Sequence, residues 1–410
     1  MSKKRISPDE RAEKRLEARK ASISSCRFPG AVALCLLAAC LLSVPVLTAA
    51  IKVPDFSENE NRMLATLPTF SFPVLLSGKY LTELEDCLSD RIVFRDAAVR
   101  AHAGMSLASH LFLETNGVIP TRDGRLIALP GVTEEKRTSF SRAVSGGIRL
   151  SELLGTDRTL FAVVAPSAEV EKASLPLPVR SDGASLPEGV LYIEDFPADS
   201  FYRTDHHWTT AGAFSAYRRL APLLGAEPYG KEDFTPEVFC EDFRGTLASR
   251  SGLYDFASDT VELFRYAGDE DFTVTDMQRG ERLPLTGGFY DAGAKEKKDS
   301  YTVFLGGNYG HLRIEGVGDG RQRLLIVKDS YANSLIPFLA RHFDLEVVDP
   351  RYFRGDITKI AGICDRVLIL YSRDQLASDA YLERLLIDQP SATSSSIITA
   401  KPATIPMVAK

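Results

Sequence analysis

Four short apolar runs stand out along the chain: TLFAVVAP (Thr159–Pro166), RLLIVKDS (Arg323–Ser330), DLEVVDP (Asp344–Pro350) and DRVLILYS (Asp365–Ser372). Runs of this length, apolar at consecutive positions, predict strands buried on both faces. Between and before them apolar residues recur at helical spacing, over Glu134–Leu154, in TAGAFSAYRRLA after Thr209, and in NSLIPFLARHF after Ser330. Strand and helix patterns in alternation predict an α/β domain around a mostly parallel central sheet, in three layers. Upstream, from Pro73 to Leu113, Leu81, Leu84, Leu88, Ile92 and Val99 mark one helical face. TNGVIPTRDGRLIAL reads as a hairpin turning at Asp123-Gly124. The stretch near 225–300 is charged and Gly-rich and breaks the alternation, so it reads as an insertion or cap. Residues 389–410 form a Ser/Thr/Pro-rich tail predicted to be disordered.

One apolar run is of another kind. FPGAVALCLLAACLLSVPVLTAAI, Phe28–Ile51, carries no charge and is long enough to cross a hydrocarbon core of roughly 30 Å. Residues 1–27 hold nine Lys/Arg against four Asp/Glu, and the remainder is strongly acidic within a total of −6. Basic residues before the span predict a cytoplasmic N-terminus and a main domain outside. Two rival readings use the same segment: LTAAI as a signal-peptidase site, and LAAC, ending at Cys40, as a lipoprotein box. All three place the main domain outside the cytoplasm. The acidic remainder lacks a basic stripe for phosphates and excludes a general nucleic-acid binder. Cys87, Cys240 and Cys364 lie far apart, allow one bridge at most, and do not suit a cysteine zinc site.

The candidate chemistry begins with FYRTDHHWTTAGAF (Phe201–Phe214), which holds the chain's only tryptophan. In an extended backbone Asp205 and His207, two apart, point to one side, so a carboxylate and an imidazole can converge. His206 would then point away and make a structural hydrogen bond. Thr209 stands where a helix N-cap is wanted; the bland reading of the segment is this cap plus a buried tryptophan. Ser330 ends a buried-type strand and precedes a helix, at the strand edge where α/β sheets bind ligands. It lacks a base of its own, and Asp-x-His lacks a nucleophile, so the two are complementary. Gly306 and Gly307, with Asn308, could complete an oxyanion hole, although such triplets are more often turns. Tyr331 lines an acyl pocket or merely packs; Lys328 and Asp329 orient the loop or contact substrate. No cofactor or metal is implied.

SENENRMLATLP, LEDCLSDRIVFRD, TDHHWTTAGAF, FRGTLASRSG, GGNYG and VKDSYANS occur in this order from residue 57 to about 335. As a set they resemble the DHHW-motif proteins, a family related to the SGNH-hydrolase-like proteins of alginate O-acetylation. The resemblance implies an SGNH-hydrolase-like three-layer fold with the Asp-x-His element ahead of the serine. It makes Ser330 the nucleophile, His207 the general base and Asp205 its orienting carboxylate. Asn308 and the Ser330 amide become oxyanion donors, with Gly307 and Tyr331 beside them. The organisation expected is then a basic arm 1–27, an anchor 28–51, a tether and helical region 52–114, an SGNH-like domain 115–388 and the tail 389–410. The implied activity is O-acyl transfer or ester hydrolysis on acetyl groups of a cell-envelope polysaccharide. Transfer would need an acyl donor, supplied by a polytopic membrane acyltransferase. The alternative is a non-catalytic scaffold or glycan-binding protein on the same fold.

Overall fold

The computed structural model describes residues 54–57, 59–60, 62–109, 113–129, 133–171, 175, 186–378 and 381–387. Ahead of these it describes 31–32, 34–35, 38–39, 42–44, 46–48 and 50–51. The basic arm and the tail lie outside the described residues, and the expected span Phe28–Ile51 lies partly outside them. Among the described residues no helix is long and apolar enough to cross a membrane. The chain divides into two compact units, one ending at Ala108 and one beginning at Ser109.

In the first unit β1 (Phe56–Ser57) pairs antiparallel with β2 (Arg62–Met63). Three helices follow, Phe72–Leu76, Lys79–Arg91 and Arg95–Ala108. The single long helical pattern is thus broken, at Gly78 and again at Ile92–Phe94, where Phe94 takes a positive φ of 63°. Arg62 donates to both oxygens of the buried Asp90, at 2.7 and 2.5 Å, and the Ala65 amide adds a third bond at 2.8 Å. The guanidinium holds the Asp90 carboxyl down at about 2. Two of the motif segments, SENENRMLATLP and LEDCLSDRIVFRD, meet through this pair.

The second unit opens with the expected hairpin, β3 (Val118–Pro120) against β4 (Leu126–Ala128), and a helix at the expected Glu134–Leu154 capped by Thr133. The strands that follow are β5 (Thr159–Val164), β6 (Val190–Ile193), β7 (Thr235–Phe243), β8 (Asp259–Arg265), β9 (Thr273–Asp276), β10 (Glu281–Arg282), β11 (His311–Glu315), β12 (Gln322–Lys328), β13 (Phe343–Val348) and β14 (Arg366–Ser372). Eight of them form one sheet in the order β10-β9-β11-β13-β12-β14-β5-β6. The five from β13 to β6 run parallel, and β11, β9 and β10 add an antiparallel edge.

All four strands expected from the apolar runs lie in the parallel block, and in β5, β12 and β14 the alternation shows why the run is unbroken. Leu324, Ile326, Leu368, Leu370, Ala162 and Val164 face one core, which also holds the helix Thr210–Leu223. Leu325, Val327, Val367, Ile369, Phe161 and Val163 face a second core, closed by the helix Glu134–Leu154. β5, β12 and β14 are therefore apolar on both faces, whereas β13 places the buried Glu346 against His311, Arg313 and Arg323, and the sheet lies between helical layers.

The helix expected after Ser330 differs. A 3-10 turn spans Ser330–Ser334, and the α-helix is only Ile336–Leu339. Pro337 cannot donate to the preceding turn, so regular helix has no run-up there. Within 225–300, β7 and β8 form a separate antiparallel hairpin whose Phe243, Val261 and Leu263 enter the first core, while β9 and β10 extend the main sheet.

Candidate active site

The loop Tyr202–His207 is closed at its base by an antiparallel bridge between Phe201 and Trp208. Asp259, at the start of β8, accepts hydrogen bonds from the amides of Arg203 (2.6 Å) and Thr204 (2.8 Å) and from the Thr204 hydroxyl (2.5 Å). Those bonds hold the loop in a tight bend, so the segment is not extended. The expectation that His206 points away from His207 fails for that reason: the two rings lie 3.9 Å apart, centroid to centroid. The expected structural bond is present, from His206 Nδ1 to Thr246 Oγ1 at 2.7 Å.

Asp205 and His207 do converge. Oδ1 of Asp205 accepts from the His207 amide at 2.9 Å and from His207 Nδ1 at 2.6 Å. The first bond is an Asx turn, in which the carboxylate shapes the backbone that carries its own partner. The other oxygen, Oδ2, accepts from the Thr246 amide (2.7 Å) and hydroxyl (2.9 Å). Four donors thus fix a carboxylate that is 1% exposed. The Thr246 hydroxyl donates to Asp205, so toward His206 it can only accept, and His206 Nδ1 carries a proton.

His207 Nε2 lies 2.8 Å from Ser330 Oγ. A ring that donates from Nδ1 to a carboxylate, when neutral, has Nε2 free to accept, so the serine hydroxyl donates to it. Ser330 follows the end of β12, at the carboxyl edge of the parallel block, and is half-buried, while Asp205 and His207 are buried behind it. The structure brings the three residues into one hydrogen-bonded chain that ends at an accessible hydroxyl.

The electrostatics suit that order. Burial alone would raise the Asp205 carboxyl, but the two histidines outweigh it and hold the group well below the carboxylate range. Burial, joined by the charge on His206, pushes His207 down to about 4 against the pull of Asp205. For His206 burial also acts downward, but Asp205, Asp329 and Asp374 prevail and raise it. Its side chain is 38% exposed, which screens that charge in part. The pair is therefore split: His207 is the neutral ring and His206 the more readily protonated one.

Three further residues support the site, of which Tyr301 gave no sequence signal. Tyr301 stacks on the His207 ring at 3.9 Å and 12°, and its hydroxyl donates to the carbonyl of Ser330 at 3.1 Å. Trp208, fully buried, donates its Nε1–H to the Tyr331 carbonyl and to Ser334 Oγ, both at 2.9 Å. The two aromatics tie the histidine loop to the serine turn. Gly245 of FRGTLASRSG packs directly on the carboxylate: a Cβ there would lie 2.3 Å from both Cβ and Oδ2 of Asp205. Its φ is −82°, open to any residue, so the constraint is space alone. Gly245→Ala is therefore expected to displace Asp205 and lower turnover by about 100-fold; unchanged kinetics beside an unchanged melting temperature would contradict this.

The remaining residues singled out in the sequence lie around the serine turn and the Gly306–Gly307 loop. Tyr331 is buried, with its hydroxyl donating to the His206 carbonyl and its ring 5.2 Å from that of His207. These are packing contacts against the histidine loop. Asp329 caps the turn, accepting from the Tyr331 amide (2.9 Å) and from Ser372 (2.7 and 2.8 Å). Gly307 has a φ of 124° with open space where a Cβ would stand. It follows Leu305 and Gly306, with φ of 64° and 75°. Three left-handed residues in a row, one of them leucine, mark a strained loop held by its surroundings. That loop ends at the exposed Asn308, whose Oδ1 accepts from Lys328 Nζ at 3.1 Å and Asn333 Nδ2 at 3.2 Å.

Asp205, His206 and His207 also bring metal-binding atoms within 4.8 Å of one another. Those atoms already hold the hydrogen bonds given above, so an ion would have to break the Asp205–His207–Ser330 chain. Among the described residues Cys35, Cys87, Cys240 and Cys364 are free thiols.

A serine, a neutral histidine and a buried carboxylate so linked at the carboxyl edge of a parallel sheet can together activate the serine hydroxyl as a nucleophile. Residues 195–348, which contain all three, match the family model described as DHHW protein. Among solved structures it is similar to a DHHW family protein from Eubacterium siraeum, at 22% identity and a TM-score of 0.53 over 68% of this chain and 97% of that one. It is also similar to Bacillus cereus PatB1, at 20% identity and a TM-score of 0.52 over 64% of this chain and 98% of that one. PatB1 with a sulfonyl adduct aligns at 20% identity and a TM-score of 0.51, over 64% and 98%. At these identities the likeness is one of fold. No curated protein matches the chain in sequence.

Proposed function

We propose that the protein is an SGNH-like serine O-acyltransferase or esterase acting on acetyl groups of a cell-envelope polysaccharide. The observation that carries this reading is the chain Asp205 Oδ1–His207 Nδ1 at 2.6 Å and His207 Nε2–Ser330 Oγ at 2.8 Å. Ser330 Oγ attacks the acyl carbonyl carbon as its proton passes to His207 Nε2, and the oxyanion faces Asn308 and the Ser330 amide. Collapse expels the donor's oxygen or sulfur, which takes the proton from His207 and leaves an acyl-serine. A sugar hydroxyl then gives its proton to His207, attacks the ester and restores the serine. Water in its place gives hydrolysis. In this reading residues 28–51 anchor the protein with its N-terminus in the cytoplasm, and a polytopic membrane acyltransferase supplies the acyl group.

The test uses the full-length protein with an acetyl ester and an aryl sulfonyl fluoride, a probe suggested by the sulfonyl adduct of PatB1. Acetate release and one sulfonyl group on Ser330 support serine chemistry; a folded protein that is neither active nor labelled there leaves the non-catalytic scaffold. The pH profile carries a sign. The base works only when neutral, and His207 sits near 4, well below the ordinary 6.5. Activity is therefore expected at pH 6 and above, and to be lost as pH falls through about 4. An acid limb near 6.5 in kcat/KM would contradict the buried, His206-shadowed base described above.

A further inference from the structure

Lys328, two residues before Ser330, is 2% exposed and lies among three acceptors. Its Nζ donates to Asn333 Oδ1 at 2.7 Å, to Asn308 Oδ1 at 3.1 Å and to Asp349 Oδ2 at 3.5 Å. An ammonium has three N–H donors and no acceptor, so every amide beside it must turn its oxygen inward. Asn333 complies, and its own Nδ2 reaches Asn308 Oδ1 at 3.2 Å and the Gly307 carbonyl at 3.5 Å. Two donors then converge on Asn308 Oδ1. Its Nδ2–H bonds are left facing away from the cluster, at the one exposed member of it.

We propose that Lys328 is a positioning residue which, through Asn308, fixes the amide that donates to the oxyanion. The proposal rests on the serine reading above. Without an ammonium behind it, an exposed asparagine on a strained glycine loop is free to present either its oxygen or its nitrogen to the substrate, and the oxygen would repel a developing negative charge. Burial lowers the Lys328 pKa and Asp349 opposes that pull; Asp349 is itself held by Arg351, through Nε to Oδ1 at 2.9 Å and Nη2 to Oδ2 at 2.6 Å. Removing Lys328 therefore leaves that carboxylate with a partner, which favours folded variants.

The test is a double-mutant cycle in the full-length protein with Lys328→Met, Asn308→Ala and both together, read as kcat and KM on the acetyl ester, with melting temperatures. Each single change is expected to lower kcat about 100-fold with KM nearly unchanged, as for one lost oxyanion donor. The double variant is expected to stay within about threefold of Asn308→Ala, since Lys328 acts through that side chain. A Lys328→Met enzyme with wild-type kcat overturns the proposal. So does a double variant slower by the product of the two single effects, which is what an unrelated packing role would give. Should Lys328→Met melt below the assay temperature, Lys328→Leu, which equally lacks an N–H donor, carries the same cycle. Sulfonyl labelling of the wild type separates the two levels: no label on Ser330 defeats the serine reading, whereas a labelled, active wild type with an unaffected Lys328→Met defeats only the role of Lys328.

Discussion

Ser330→Ala is expected to abolish ester turnover, by about 10⁶-fold, and His207→Ala to cost about as much. In the proposed mechanism the two groups act as one unit: the hydroxyl is a poor nucleophile until Nε2, 2.8 Å away, takes its proton. The double variant should accordingly be no slower than either single one. What remains would be the contribution of substrate binding and the oxyanion donors, roughly 10³-fold over water. Loss of fold would not account for the serine result. Ser330 is half-buried and gives up one side-chain hydrogen bond, a change of about 1 kcal/mol. His207 also loses its stacking on Tyr301, so its variant needs a melting curve beside the kinetics. A Ser330→Ala protein retaining a tenth of the wild-type kcat would remove the serine from the mechanism.

The residues that build this centre were unequally visible in the sequence. The parallel strands were legible because burial on both faces leaves an unbroken apolar run, as in β12 and β14. The antiparallel elements were not. β8 reads DTVELFR, and its inward Val261 and Leu263 alternate with exposed residues inside a charged segment that resembled an insertion. That segment supplies Asp259, which bends the histidine loop, and Gly245 and Thr246, which wall and bind Asp205. Its contribution lies in contacts between positions about forty or more residues apart, which no local spacing encodes.

The pairing of Asp205 with His207 was read correctly through a backbone that is not there. The i, i+2 argument assumed an extended chain; the actual convergence comes from an Asx turn inside a bend. The same assumption failed for His206, because in a bend neighbouring side chains can share one partner. Ser330 was legible as the polar end of an apolar strand. Lys328 was legible only as a residue that could orient the loop or contact substrate, and the fold alone shows three acceptors around its buried Nζ. Tyr301 shows the same limit, since nothing in SYTVFLGG tells that its ring will lie flat against a histidine nearly a hundred residues earlier in the chain.

Asp205→Asn is expected to lower kcat by about 10⁴-fold. Both carboxylate oxygens accept from a backbone N–H that cannot be turned, Oδ1 from His207 and Oδ2 from Thr246. An asparagine must aim its NH2 at one of them. Facing Thr246, it sets N–H against N–H and pulls the loop from the 245–246 segment. Facing His207, it opposes the same kind of amide and also Nδ1, which must then give up its proton to Nε2. A ring protonated at Nε2 donates toward Ser330 instead of accepting from it, and the nucleophile loses its base. Either arrangement also removes the charge that stabilises the imidazolium formed during attack. Imidazole nitrogen shifts separate the cases: the wild type is expected to show a proton on Nδ1 of His207 at neutral pH and the variant one on Nε2. A variant with kcat within tenfold of wild type, or a wild type already protonated at Nε2, would be incompatible with Asp205 orienting the base.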